Sequence, residues 1–274
     1  MNDDARLHLK LDQPAALRLA LDAGQLDRFC LRGDQARLCA SAEWSADRWR
    51  ANLSANALPI AALTAGLTPR AVYEGTLDIE ASAGATTAGP VVGTARADLT
   101  GAQLRRRRAN GREDLIPLGS GRVTADATAE AINAQLELDA GDTGRISGTA
   151  SVQRSGAALA TLPLRASLRA STSALGFVNL YVPEIDRAAG RLDVDLAIGG
   201  TVSAPSFNGV MQLRNGELDL YQVNLALRAA EFEARLLDNN LSFKLAARAG
   251  DGQLASNGSL QWRDGLPAGS IALR

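Results

Sequence analysis

Between Gly190 and Trp262 the sequence repeats one phrase: a run in which apolar and polar residues alternate, a short Gly-containing turn, then another such run. In the first of these runs Leu192, Val194, Leu196 and Ile198 fall on one side, and Arg191, Asp193, Asp195 and Ala197 on the other. Successive side chains of a β-strand point to opposite faces, so a period of two marks a strand with one greasy face and one wet face. The pattern fills nearly the whole chain. It begins with Leu7, Leu9 and Leu11, continues with Leu17, Leu19 and Leu21 after Pro14, and passes through Trp44, Trp49, Ala51 and Leu53. It resumes at Tyr73 with Gly75-Thr-Leu77-Asp-Ile79, then runs from Val91 to Leu104, Gly121 to Ala131, Ile132 to Ala140, Ile146 to Val152 and Leu162 to Ala170. Beyond Gly209 it gives Glu217 to Tyr221, Val223 to Leu227, Ala230 to Leu236, Leu241 to Ala247 and Ser256 to Trp262.

Gly with Asp or Asn punctuates the gaps, as in Asn110-Gly111, Ala140-Gly-Asp-Thr-Gly144 and Asn215-Gly216, and these read as tight turns. Gly75-Thr-Leu-Asp-Ile79, Gly190-Arg-Leu-Asp-Val194 and Gly216-Glu-Leu-Asp-Leu220 read as variants of one strand opening. Helical spacing occurs twice. Asn56 to Gly66 places Leu58, Ala62 and Leu63 on one side with Pro59 suited to a first turn, and Ala174 to Ile185 groups Leu175, Val178 and Tyr181 or Val182 before Pro183 interrupts. Strands every dozen residues imply about 20 of them, spanning roughly 90 Å at about 4.8 Å each. Open twisted sheets rarely exceed about 10 strands without curling or splitting. The expected fold is therefore all-β, a long, curved, mainly meandering sheet forming a trough, with one or two short helices.

Composition sharpens that expectation. Of the 274 residues 46% are hydrophobic, mostly Ala, Leu and Val, and only 4% are aromatic. Closed sandwiches fill their centres with large side chains, so this supply is poorly suited to a thick closed core. The net charge is -1, with 29 basic and 30 acidic residues interspersed, and offers no field to attract nucleic acid. No apolar run is long enough for a membrane helix and no signal peptide opens the chain. Strand patterns close to both termini suggest an excerpt of a longer protein.

Cys30 and Cys39 bracket a candidate hairpin whose turn is residues 33–36, which sets the two cysteines directly opposite. A non-hydrogen-bonded antiparallel pair brings side chains close enough for a cross-strand disulfide, which would favour an oxidising compartment. Two buried free thiols are the other reading. Catalytic patterns are missing. His8 lies on the polar side of Leu7, Leu9 and Leu11 without partners, and Gly250-Asp-Gly252-Gln-Leu-Ala255 precedes a strand rather than the helix a nucleotide loop needs. Arg105-Arg-Arg-Arg108 reads as a solvated loop because Glu113 and Asp114 follow without interleaved aromatics. Asp193 and Asp195 read as solvating groups, because no further spaced oxygen ligands accompany them. The sequons at Asn52, Asn240 and Asn257 matter only in a eukaryotic secretory route. No enzyme activity, metal or cofactor is implied.

The phrases from about Phe177 through Pro183, Gly190 to Ile198, Gly200-Thr-Val-Ser-Ala-Pro205, Gly209, Asn215-Gly216, Gly250-Asp-Gly252 and Asn257-Gly258 resemble the TamB family of translocation and assembly module subunits, within the AsmA-like group. The Cys30 to Cys39 hairpin, with Leu38, Trp44 and Leu58-Pro59, is similar to that family's interior. The resemblance implies a β-taco with a hydrophobic trough, in an inner-membrane-anchored protein reaching through the periplasm of Gram-negative bacteria toward an outer-membrane barrel, TamA. It implies one continuous interior segment over 1–274, with sub-parts 1–70 (disulfide hairpin and short helix), 71–170 (meander) and 171–274 (short helix, then β repeat). Two functions compete within it: carriage of phospholipid acyl chains along the trough, and assembly of outer-membrane proteins by adding client strands to a sheet edge. A structural β-solenoid with a sealed face is the third reading. The groove-lining candidates are Leu77, Ile79, Leu136, Leu138, Leu192, Val194, Leu196, Ile198, Met211, Leu213, Leu218, Leu220, Leu225, Leu227, Phe243 and Leu245. They share one face only if the odd set of Met211 and Leu213 and the even set of Leu218 and Leu220 are reset relative to each other at Asn215-Gly216.

Overall fold

A computed structural model of the chain describes residues 7–64, 71–107, 113–177, 185–220, 224–238, 240–263 and 266–274. Among them are seventeen antiparallel strands and very little helix, the all-β architecture that a period of two demands. The chain divides into two units, 1–139 with 153–156 and 140–152 with 157–274.

Unit 1 holds β1 (Lys10–Leu11), β2 (Leu17–Leu19), β3 (Ala23–Arg32), β4 (Arg37–Ser45), β5 (Arg48–Pro59), β6 (Ala71–Thr86), β7 (Val92–Arg107), β8 (Glu113–Ala127) and β9 (Ala131–Asp139). From β3 to β9 each strand pairs with the next, while the two-residue β1 and three-residue β2 share the outer edge of β3. Unit 2 holds β10 (Gly144–Gln153), β11 (Leu164–Thr172), β12 (Ile185–Gly200), β13 (Pro205–Leu220), β14 (Leu225–Leu237), β15 (Asn240–Ala249), β16 (Gly252–Arg263) and β17 (Leu266–Leu273), again in sequential pairing. Each unit is an open, curved meander. Among the described residues no pairing returns to close either one into a barrel.

Several strands are longer than the sequence suggested, and the excess has one cause. The three Gly-X-Leu-Asp phrases do not open strands. Gly75, Gly190 and Gly216 sit inside β6, β12 and β13, each 16 residues long, at breaks in the register. All three lie at β-bulges, where an extra residue on one strand kinks it and increases the local twist; the extra residue is on β7 opposite Gly75 and on β13, at Asn215-Gly216, opposite Gly190. Gly75 and Gly190 adopt φ of 120° and 125°, and a Cβ on Gly190 would lie 2.9 Å from the Gly216 backbone, so both positions require glycine. Asn215, with φ of 50°, belongs to the same irregularity, so Asn215-Gly216 is a bulge inside a continuous strand rather than the expected turn. By contrast Gly250-Asp251 is a hairpin turn, joining the paired residues Ala249 and Gly252.

Both helical readings shrink. Asn56 to Pro59 belongs to β5, where Leu58 and Pro59 pair with Leu77 and Thr76, and only Ile60–Thr64 is helical (α1), lying against β6. Strand pairing with β6 overrides the local helical spacing. In the second region only a 3₁₀ turn at Leu175–Phe177 forms and Ile185 already starts β12; Val178, Tyr181, Val182 and Pro183 lie outside the described residues, as do the Asn110-Gly111 turn and the strand ends Tyr221 and Val223. Arg105, Arg106 and Arg107 are the last residues of β7 rather than a loop; Arg105 forms an ion pair with Glu74, and Arg108 lies outside the described residues. The Arg105 to Arg107 stretch stays in the ladder because β6 and β8 continue beside it. At the other end, Leu7 and Leu9 precede the first strand, which is confined to Lys10–Leu11.

Candidate functional site

Directly opposed residues in an antiparallel ladder share a face, so the register traces each face across its unit. In unit 2 one row runs Ile146, Ala170, Val194, Met211, Ala234, Phe243, Gly258, Ile271. The next row contains Leu168, Leu196, Gly209, Leu236, Leu241 and Leu260, and the one on the other side contains Leu192, Leu213, Phe232, Leu245 and Leu273. Ile198 and Phe207 extend the same face. Beyond the bulges Leu218 pairs with Leu227, and Leu220 with Leu225. The extra residue in β13 is what turns the even-numbered leucines to the side of Met211 and Leu213. All twelve unit 2 candidates therefore meet on one face: Leu192, Val194, Leu196, Ile198, Met211, Leu213, Leu218, Leu220, Leu225, Leu227, Phe243 and Leu245.

They do not all share one environment. Leu227, Ala230 and Ala247 are buried beside the bulges, with Leu218, Leu225, Leu245, Ala249 and Leu254 packed on them. That end of the face is a small core. Leu192, Val194, Leu196, Ile198, Met211 and Phe243 are half-buried.

The four candidates in unit 1 also share a face. Leu77 stands in a row with Leu58, Leu99, Gly121 and Leu138, and Ile79 in a row with Leu31, Leu38, Ala55, Ala97, Val123 and Leu136. The next row is Phe29, Ala40, Leu53, Ala81, Ala95, Ala125, Ala134, and the one after it is Leu26, Ala42, Ala51, Ala83, Gly93, Ala127, Ile132. Last come Gly24, Trp44, Trp49 and Ala85. Leu58, just before α1, and Ala102, Leu104 and Ile116 in β7 and β8 are buried, with Leu104 at 2% exposure. The centre is uncovered: Val123 is 43% exposed and Leu53 39%. At the far rim Trp44 and Trp49 oppose each other at 38% and 40% exposure, Trp44 lying over Gly24, where any Cβ would collide with the indole.

The groove-lining candidates include none of the alanines of this floor. Their signal was the same alternation at smaller scale, in Ala81-Ser-Ala83-Gly-Ala85, Ala95-Arg-Ala97 and Ala125-Asp-Ala127.

The opposite faces are mainly polar, with scattered exposed apolar residues such as Val210 and Leu237. Arg96 and Arg122 both donate to Asp98, at 2.5 and 2.6 Å, and hold its carboxyl below the usual carboxylate range. Asp193 accepts from Ser171 Oγ at 2.7 Å and is flanked by Arg191, which lowers it likewise, and Asp195 pairs with Arg169 at 3.3 Å. Among the described residues no cluster of three or more His, Cys, Asp or Glu could hold a metal ion. The Cys30–Cys39 disulfide, with Cα atoms 4.0 Å apart, lies on this face in the row of Ser54 and Glu80. Clefts of about 590 Å³ in unit 2 and 620 Å³ in unit 1 also open on the polar side, between side chains such as Arg214, Glu233 and Lys244, or Glu80, Arg96 and Thr124. Their linings also take in residues of the apolar rows, Leu213, Phe232 and Leu245 in the first and Leu53, Ala81, Ala95, Ala125 and Ala134 in the second.

Among the described residues no helix is long and apolar enough to cross a membrane. No curated protein and no solved structure matches the chain. The family model described as TamB, N-terminal domain, matches residues 4–213, which takes in the strands of unit 1 and those of unit 2 as far as Leu213 in β13. A match over that much of the sequence places the chain in a family: it belongs to the TamB family.

Proposed function

We propose that this chain is a periplasmic segment of an inner-membrane-anchored protein and carries phospholipid acyl chains on its apolar faces between the inner and outer membranes, working with a TamA-like outer-membrane barrel through other parts of the protein. No catalytic step is part of the reading. One observation carries it: rows of apolar side chains run unbroken across adjacent strands, yet residues at their centre, such as Val123 at 43%, remain exposed. A sealed solenoid would bury that position. Each CH₂ leaving water is worth about 0.8 kcal/mol, so one ~16-carbon chain gains on the order of 10 kcal/mol from a continuous greasy surface. The strand interiors already use their backbone N–H and C=O groups in the ladder. A polypeptide laid flat on these rows would leave its own amides unpaired, at a cost of about 1–3 kcal/mol for each, whereas hydrocarbon has no polar group to lose.

A second reading rests on a different feature. Strand addition would use the backbone of a sheet edge rather than the apolar rows, because an unpaired strand is a template for a client strand.

Purification followed by lipid extraction and mass spectrometry tests the first reading. Phospholipid accompanies the wild-type chain and Ala197→Asp, whose change lies on the polar face, and falls sharply in Leu196→Asp and Leu213→Asp. Phospholipid retained unchanged by those two variants, with strand circular dichroism intact, would sink the acyl-chain reading. Crosslinks to unfolded outer-membrane proteins confined to edge-strand positions would favour strand addition instead.

A further inference from the structure

At three breaks in the register the extra residue carries the same arrangement. Ala57 in β5, Gly101 in β7 and Asn215 in β13 have φ of 50°, 60° and 50°, and each falls where the ladder to the following strand skips. A bulge leaves its extra residue out of the ladder. In each case a side-chain oxygen from the following strand takes the amide instead: Asp78 Oδ1 accepts from Ala57 N at 2.8 Å, Glu231 Oε1 from Asn215 N at 2.9 Å, and Ser120 Oγ from Gly101 N at 3.4 Å.

The apolar face changes parity at these residues. In β5 it passes from Ala55 to Leu58, and in β13 from Leu213 to Leu218, each time from an odd-numbered to an even-numbered residue. Alternation carried through unbroken would turn Leu58 and Leu218 to the polar side. Both belong to the packed ends, where Leu58 is buried and Leu218 stands opposite the buried Leu227.

We propose that Asp78 and Glu231 are positioning residues of the apolar face: by holding the amide of the extra residue, each keeps the apolar side chains before and after the kink on one side of the sheet. The proposal goes beyond the acyl-chain reading, because it holds for any occupant of that face. Carboxylates suit the task, since a charged acceptor binds an N–H more strongly than a neutral one. Backbone preference does not explain the kink at Ala57. Alanine has neither the freedom of glycine at positive φ nor the local side-chain hydrogen bond of asparagine, so its conformation needs a partner from outside.

NMR of the whole chain tests the proposal, through hydrogen exchange at the Ala57 and Asn215 amides and through methyl contacts between opposed residues of the face. Glu231→Ala speeds exchange at Asn215 about tenfold and weakens the contact of Leu218 with Ala188; Asp78→Ala does the same at Ala57 and at the contact of Leu58 with Leu77. Glu231→Gln and Asp78→Asn, which keep an acceptor oxygen, retain both contacts. Alanine variants that fold with their methyl contacts intact overturn the proposal, whatever their amide exchange. If the alanine variants do not fold, the amide variants decide. Folding with native contacts in Glu231→Gln and Asp78→Asn upholds the acceptor role, and failure to fold in them overturns it. Lipid enters none of these measurements, so the result is independent of whether the acyl-chain reading stands.

Discussion

The two units use the same architecture to make different floors. Unit 1 sets alanine opposite alanine across β6 to β9, with Leu53 in the same row, Ile79, Val123 and Leu136 in the next, and Trp44 and Trp49 at the rim. Unit 2 carries Leu192, Met211, Leu213, Phe232 and Phe243 in mid-floor, where two of its aromatics, Phe232 and Phe243, lie with ring centroids 6.1 Å apart. Each has a packed end, Leu104 with Ile116 in one and Leu227 with Ala230 in the other. Stability and accessible surface are thus supplied by different parts of one face. Residues beside the bulges hold each sheet, and residues away from them are left free to bind.

That division can be broken most decisively at its packed end. Leu104→Ala, at a position 2% exposed, is expected to lower unfolding free energy by about 2–5 kcal/mol in urea titration, whereas Val123→Ala costs well under about 1 kcal/mol. Equal losses would mean that the floor of unit 1 is covered after all. Next in size is the disulfide, found in unit 1 alone. Replacing Cys30 and Cys39 by Ala removes a cross-link around a short loop and should cost about 2–3 kcal/mol, read as an earlier transition in unit 1 with unit 2 unchanged.

The bulges provide a matched pair of tests. Gly75→Ala in unit 1 and Gly190→Ala in unit 2 force a side chain into a positive-φ position against neighbouring backbone, and each should lose about 1–3 kcal/mol by thermal melting. A loss in one unit only would show that the bulges differ in importance.

The smallest effect is that of pH. Asp98 in unit 1 is lowered by hydrogen bonds from Arg96 and Arg122, and Asp193 in unit 2 by the Ser171 hydroxyl and then by Arg191. A carboxyl depressed in the folded state adds stability above its unfolded value, about 3.9 for Asp, and loses it as pH falls through the lower folded value. Acid titration of Asp98→Asn and Asp193→Asn should therefore show a shallower loss below about pH 4 than the wild type. A variant as acid-sensitive as the parent would remove that carboxylate from the account.

The fold class was legible because period two survives from residue to residue, and the Cys30 to Cys39 register followed from counting back from one turn. What was not legible shares one physical origin. Asn215-Gly216 has the backbone preference of a hairpin turn, and only the strands running past it on both sides, β12 and β14, decide that the chain continues. Asn56 to Pro59 has helical spacing, yet β6 holds it as strand. The alanine field was hidden for a related reason. No single alanine marks a site, and only the register assembles Ala81, Ala95, Ala125 and Ala134 into one floor.

The bulges have a consequence for folding fidelity. A chain that repeats one alternating phrase many times can zip up one residue out of step, and each such slip would send a whole greasy row into water. Gly75 and Gly190 fit only where the neighbouring strand leaves room for their unusual backbone. They act as detents, letting a monotonous sequence find one alignment among many near-equivalent ones, so that a mutation at either should show itself first as misaligned or aggregating chains during refolding.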